Sequence, residues 1–268
     1  MSTKINARVV CAILVVLLAI CVLPAGAASI PSGIQHDSYN GLLKKYVNTQ
    51  GLVAYERWKS SASDMGALDS YLAQFAPAGN ASGNERYASL VNAYNGFVLQ
   101  WILQNYPTES IWALKNPFKA KRHKLGGATV SLNDIENEML RPEFGYRTHA
   151  VLVCAARSCP PLQQSAYTAE QLEEQAARAF RSWLARPDLN EFLVDKKEAA
   201  ISSIFKWFKA DFEKAGGVKP IMGKYAPAPA KPLLERPDCK ITYKTYNWGL
   251  NDQGPRGRNW KQTIFDFF

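Results

Sequence analysis

Apolar residues recur along this chain at helical spacing more often than they alternate. The longest such run is RYASLVNAYNGFVLQWILQNYP, residues 86–107. Tyr87, Leu90, Val91, Tyr94, Phe97, Val98, Trp101 and Ile102 keep the helical period, and Pro107 stops it. Ala88, Asn92, Asn95, Leu99 and Leu103 make a second row, so the helix is apolar nearly all round and predicts burial. Further helices are predicted over 36–48, 65–76, 168–186 with Thr168 as cap, and 202–217 with Ser202 or Ser203 as cap and Gly216 as stop. SLNDIENEMLR, residues 131–141, opens with a Ser131/Asp134 capping box, and Pro142 ends the short helix it starts. Strand-like stretches are fewer: residues 126–132, 190–195 and 239–252, and the run THAVLVCAARSCPPL at 148–162. Residues 77–84 read as a loop holding the sequon Asn80–Ser82, and APAPAKP at 226–232 reads as a proline-rich linker. The order predicts an α+β fold, a mostly helical domain around a small, mainly antiparallel sheet. Its expected extent is 28–252, with a tail at 253–268.

Composition adds a compartment. Lys4 and Arg8, the apolar run 9–23 and the small residues 25–27 read as a secretory signal peptide over residues 1–27. A secreted or periplasmic protein without a stable membrane anchor after cleavage is expected. The net charge is +9, or +7 once Lys4 and Arg8 leave. Its one concentration, KNPFKAKRHK at 115–124, reads as a solvated basic loop rather than a polyanion site. No zinc-finger, helix-turn-helix or RNP-like pattern is present, so no nucleic-acid partner is expected.

The chain has three histidines and five cysteines, of which Cys11 and Cys21 belong to the leader. The remaining Cys154, Cys159 and Cys239 are odd in number, so at least one lacks an intrachain partner. His149 stands in the same short run as Cys154 and Cys159. If residues 149–154 form a regular strand, His149 and Cys154 point to opposite faces, and Cys154 reads as a core residue. Cys159 falls in the loop beyond, where Pro160 and Pro161 end any strand. Zinc would need His149, Cys159 and Cys239 to converge, and C-x4-C lies outside the usual knuckle spacing; neither metal nor cofactor is expected. A reactive thiol needs an imidazole beside it and a third group to orient that imidazole. Glu136, on the short helix before His149, is the candidate. Asn92 and Asn95 either tie loops to the long helix or face a cleft. Arg157 either holds a substrate carboxylate or pairs with a structural acid.

LVNAYNGFVLQWILQNYP, LNDIENEMLRP, HAVLVCAARSCPPL, YTAEQLEEQ, SSIFKWFKADF and YNWGLND resemble the successive blocks of the DUF547 family, across residues 38–252. That family has no established activity. The resemblance implies an α+β domain similar to papain- and transglutaminase-like thiol enzymes, with the shared Glu, His and Cys falling on Glu136, His149 and Cys159. The expected function is a thiol-dependent hydrolase or acyl transferase acting on a small-molecule or peptide substrate. Asn92, Asn95 and Arg157 are its candidate substrate contacts. The alternative is a non-enzymatic module binding a peptide or small thiol.

Overall fold

The computed structural model describes residues 28–260, so the leader at 1–27 lies outside the described residues. Helices α1 (Asp37–Tyr46), α2 (Tyr55–Lys59), α3 (Ala62–Ala73) and α4 (Gly83–Gln104) come first. A hairpin of β1 (His123–Leu125) and β2 (Ala128–Val130) follows. Next, α5 (Leu132–Asp134), a π turn (Ile135–Leu140) and α6 (Arg141–Phe144) form one run, with α7 (Thr148–Val151) a single turn after it. Beyond the cysteine loop come α8 (Leu172–Leu184), β3 (Glu191–Leu193), β4 (Glu198–Ser202), α9 (Ile204–Trp207), α10 (Lys209–Glu213), α11 (Val218–Tyr225), α12 (Lys231–Glu235) and β5 (Lys240–Lys244). The fold is α+β and mostly helical. β3 and β4 pair antiparallel, and β4 and β5 pair parallel. Among the described residues no helix is long and apolar enough to cross a membrane.

Helix α4 is buried on both rows of its surface, from Ala88 to Leu99, as its pattern predicts. It packs against α2, α3, α5 and the π turn. The capping box at Ser131 and Asp134 is present with both reciprocal hydrogen bonds. Helix α8 starts one turn later than Thr168 predicts, because the Thr168 N–H donates instead to the Gln175 side chain (2.9 Å). The predicted 202–217 helix breaks at Phe208, whose backbone leaves helical geometry, and Ser202 ends β4 while its Oγ accepts from the Ile204 N–H (3.3 Å) at the start of α9. APAPAKP is not a linker: it winds into a short turn and α12, and Ala230, Leu233 and Leu234 are buried. The basic stretch is folded on itself. Arg122 donates to the carbonyls of Lys115, Asn116 and Pro117, and lies 4.0 Å from the centre of the Trp101 ring.

The strand expected near residue 150 is absent. Thr148, His149, Ala150 and Val151 are all buried, so their apolar pattern does not separate a strand from a buried helical turn. Nor does the extended piece after them join a sheet, because a side chain takes the backbone groups a neighbouring strand would use. The Asn95 amide donates to Val151 O (2.9 Å) and accepts from Val153 N–H (2.9 Å). Asn92 does the same one turn earlier, donating to Tyr167 O (2.8 Å) and accepting from Tyr167 N–H (2.9 Å). α4 thus anchors both ends of the segment that carries the cysteines. Asn95→Ala strips both groups at 151 and 153 of their partner in a buried setting. We expect a loss of about 2–3 kcal/mol, read as a lower urea midpoint with an unchanged denaturant slope.

Candidate functional site

One cavity of about 230 Å³ gathers side chains from widely separated parts of the chain, Trp112 and Phe118 among them. α4 contributes Tyr94, and the π turn and α6 contribute Glu136, Asn137 and Arg141. α7 brings His149, and the loop after it brings Cys154 and Cys159. Ile204, Trp207 and Phe208 enter from α9 and its end, and Tyr246 and Trp248 from the segment after β5. A π turn closes with i to i+5 hydrogen bonds. That wider turn brings Glu136 and Arg141, five residues apart, to the same cavity.

The first polar cluster is built on Asp211 of α10. Its Oδ2 accepts from His149 Nε2 (2.8 Å) and from Arg141 Nε (2.8 Å). The His149 ring stacks on Phe208 at 4.0 Å, and the Arg141 guanidinium covers the same ring at 4.8 Å. Burial keeps His149 below its usual pKa, against the pull of Asp211, so its imidazole is neutral. Hydrogen bonding from His149 holds Asp211 well below the usual carboxylate range, with Arg141 adding to it against the burial cost. Nε2 therefore carries the hydrogen, and Nδ1 carries the lone pair. Glu136 stands apart from this pair. Burial raises its pKa, and its Oε2 accepts from the Tyr94 hydroxyl (3.2 Å).

The second cluster is the thiol loop. Ala155 sits at φ +60°, a left-handed conformation that folds the chain back on itself. Cys159 Sγ thereby accepts from the Cys154 N–H (3.1 Å) and pairs with the Tyr246 hydroxyl (3.2 Å). Cys154 Sγ lies 3.4 Å from the same hydroxyl, so both sulfurs flank the Tyr246 oxygen. Burial pushes the Cys159 thiol up. The hydrogen bonds from Cys154, Tyr246 and the N–H groups of Ala156 and Cys154 outweigh it, and the net shift is down. Cys154 moves the other way, raised first by its bond to Cys159 and then by burial. The chain after β5 fixes this loop. Arg157 N–H donates to Gly249 O (2.8 Å), Ser158 N–H to Asn247 O (3.1 Å) and Asn251 N–H to Ala155 O (2.9 Å). Gly249 must be glycine there: a Cβ would lie 1.9 Å from Gly257 O.

Glu136, His149 and Cys159 line one cavity, but they are not chained by hydrogen bonds. The carboxylate on His149 is Asp211, not Glu136, and no hydrogen bond joins His149 to Cys159. Cys154 is a wall of the site and not a core bystander, because the loop is not the regular strand that would have turned it away. Asn92 and Asn95 spend their amides on backbone and do not line the cavity. Arg157 likewise points elsewhere, to the carbonyls of Asp252 and Arg256 (both 3.0 Å). Cys154, Cys159 and Cys239 are all free thiols. Among the described residues, no cluster of three or more His, Cys, Asp or Glu is placed to hold a metal ion.

Sequence reasoning missed Asp211 and Tyr246. Asp211 had a signal: it stands three residues after Phe208 and beside Phe212, an acid on the apolar stripe of its helix. Tyr246 had none beyond its place in YNWGLND.

Comparison with known proteins gives a family and no activity. Residues 79–184 match the family described as "Protein of unknown function, DUF547". That stretch includes Glu136, His149, Cys154 and Cys159, while Asp211 and Tyr246 lie beyond it. No curated protein and no solved structure matched.

Two outcomes follow. Tyr246→Phe removes one donor to the Cys159 thiolate, so alkylation of Cys159 at pH 7 should slow by about tenfold, measured by peptide mapping over time. The second concerns acid stability. His36, His123 and His149 are all held below the usual 6.5 in the fold, chiefly by burial, His123 at about 4. The unfolded chain binds those protons first, so stability falls as pH drops below about 6.5. Asp211 adds to the fall below its usual 3.8, where the unfolded carboxylate protonates before the folded one. His149→Gln should flatten the decline in urea midpoint between pH 7 and 5 relative to wild type. An unchanged slope would mean that His149 takes up its proton as readily in the fold as in the unfolded chain.

Proposed function

We propose, for a chain that belongs to the DUF547 family over residues 79–184, a thiol-dependent acyl-transfer or hydrolytic activity in the Tyr94–Trp248 cavity. The observation that carries this reading is the donor set on Cys159. Two backbone N–H groups, a thiol and a phenol lower its pKa despite full burial, which makes a nucleophile. Cys159 Sγ attacks a substrate carbonyl, the C–S bond forms, and the leaving group departs. His149 Nδ1 then takes a proton from water or an acceptor molecule that opens the thioester. Asp211 keeps the hydrogen on Nε2 and steadies the imidazolium formed in that step. The Tyr246 hydroxyl and the Cys154 N–H, both on the sulfur at rest, are the donors for the developing oxyanion. Glu136 is a second carboxyl on the cavity wall rather than the group that orients His149.

The walls describe the substrate class. Trp112, Phe118, Trp207 and Phe208 make the site largely aromatic. Its volume is below the roughly 300–1,000 Å³ of drug-sized sites. A small apolar acyl or aryl carbonyl compound fits, whereas a folded polypeptide or a nucleic acid does not. The signal peptide read at residues 1–27 supports a secretory compartment for this reaction.

The rival reading, a binding module for a small ligand, is favoured by the absence of a hydrogen bond between His149 and Cys159. A panel of small esters, thioesters and acyl electrophiles, with adducts identified by mass spectrometry, separates the two. We expect a covalent adduct on Cys159, none in Cys159→Ala, and turnover lowered by at least about a hundredfold in Asp211→Asn. Glu136→Gln should retain most of the rate. Binding without an adduct in wild type would replace the enzyme with the module. Loss of rate in Glu136→Gln but not in Asp211→Asn would return the orienting role to Glu136.

A further inference from the structure

The acyl-transfer reading uses one thiol, yet the loop builds a site for two. Cys154 and Cys159 both open onto the cavity and share the Tyr246 hydroxyl at 3.4 and 3.2 Å, and the Cys154 N–H donates to the Cys159 sulfur (3.1 Å). The turn that brings them together is set by the left-handed Ala155, and hydrogen bonds to Asn247, Gly249 and Asn251 hold it in place. Cys239 takes no part; its thiol donates to the neighbouring Lys240 carbonyl (3.9 Å).

We propose that Cys154 and Cys159 form a reversible disulfide, with Cys159 as the attacking thiol and Cys154 as the resolving one, driven by exchange with a low-molecular-weight disulfide. The step closes on its own atoms. Cys159 thiolate attacks one sulfur of R–S–S–R, forms Cys159–S–S–R and expels R–S⁻. Cys154 then gives up its proton to that thiolate and attacks the Cys159 sulfur. The Cys154–Cys159 bond forms and a second R–S⁻ leaves. The two protein thiols are oxidised by two electrons, and the small disulfide is reduced to two thiols. The Cys154 N–H that donates to the Cys159 sulfur supports this division of labour, because that donor favours a thiolate on Cys159.

The consequence is an off-state of the cavity. A disulfide consumes the Cys159 nucleophile and shields it from irreversible oxidation. A dithiol reductant restores it. The inference rests on the thiol pair alone and holds whether or not an acyl substrate is turned over, so the test needs no turnover.

Fully reduced mature chain is incubated with oxidised glutathione, the remaining thiols are alkylated under denaturant, and the chain is cut with trypsin. Cleavage after Arg157 puts Cys154 and Cys159 on different peptides. We expect those two peptides to emerge joined, lighter by two hydrogens than their sum, with Cys239 alkylated. Dithiothreitol should part them. Cys154→Ser, or Cys154→Ala if the serine variant folds poorly, should instead accumulate a stable glutathione adduct on Cys159. A wild-type chain that keeps glutathione on Cys159 with Cys154 alkylated overturns the proposal. So does a folded wild type in which both thiols stay reduced.

Discussion

The site depends on a buried carboxylate with two donors on one oxygen. Asp211 is 8 % exposed, and its Oδ2 takes both Arg141 and His149. Removing one of the two donors costs about 1–3 kcal/mol, because a buried carboxylate then keeps only part of its hydrogen bonding. The contact therefore fixes three elements against one another: α6 through Arg141, α7 through His149 and α10 through Asp211. Phe208 lies against both donors, ring to ring with His149 and under the Arg141 guanidinium, so neither can swing away without losing packing.

Much of the fold was legible because its helices are long and periodic. The all-round burial of α4 followed from two apolar rows, and the Ser131 cap from a capping box. Short segments were less legible, for a physical reason. Residues 148–151 are buried on every side, so no polar face marks their period. Reading them as a strand then forced the inference that Cys154 faces away from His149. The pairing partner that excluded a strand there is the Asn95 amide, and sequence showed only that this amide needs partners, not which ones. The π turn was invisible for a related reason: it changes which residues share a face without changing their type.

Within the site, the residue types were legible and their connections were not. His149 and Cys159 do line one cavity, and Glu136 does too. The carboxylate that reaches the imidazole comes from 62 residues downstream, a distance no local spacing rule spans. The Asp on an apolar stripe was the available clue, since an acid is seldom buried unless it is paired. The blocks SSIFKWFKADF and YNWGLND contain Asp211 and Tyr246, but the resemblance to DUF547 attaches roles only to Glu136, His149 and Cys159.

The two polar clusters share a cavity but not a proton, and this shapes the chemistry. A thiolate paired with an imidazolium gains its charge as the imidazole gains a proton, so the two groups titrate as one system. Here Cys159 owes its acidity to neutral donors, while His149 is held neutral by burial and turned by Asp211. In the proposed acyl transfer, attack and proton transfer then have separate pH dependences: adduct formation follows the ionisation of Cys159 within its donor shell, and release of the acyl group follows His149 with Nδ1 unprotonated. The same separation leaves the Cys159 sulfur beside a phenol that the Cys154 sulfur also contacts. A site built this way gives up the tight ion pair and gains a second sulfur within reach of its nucleophile.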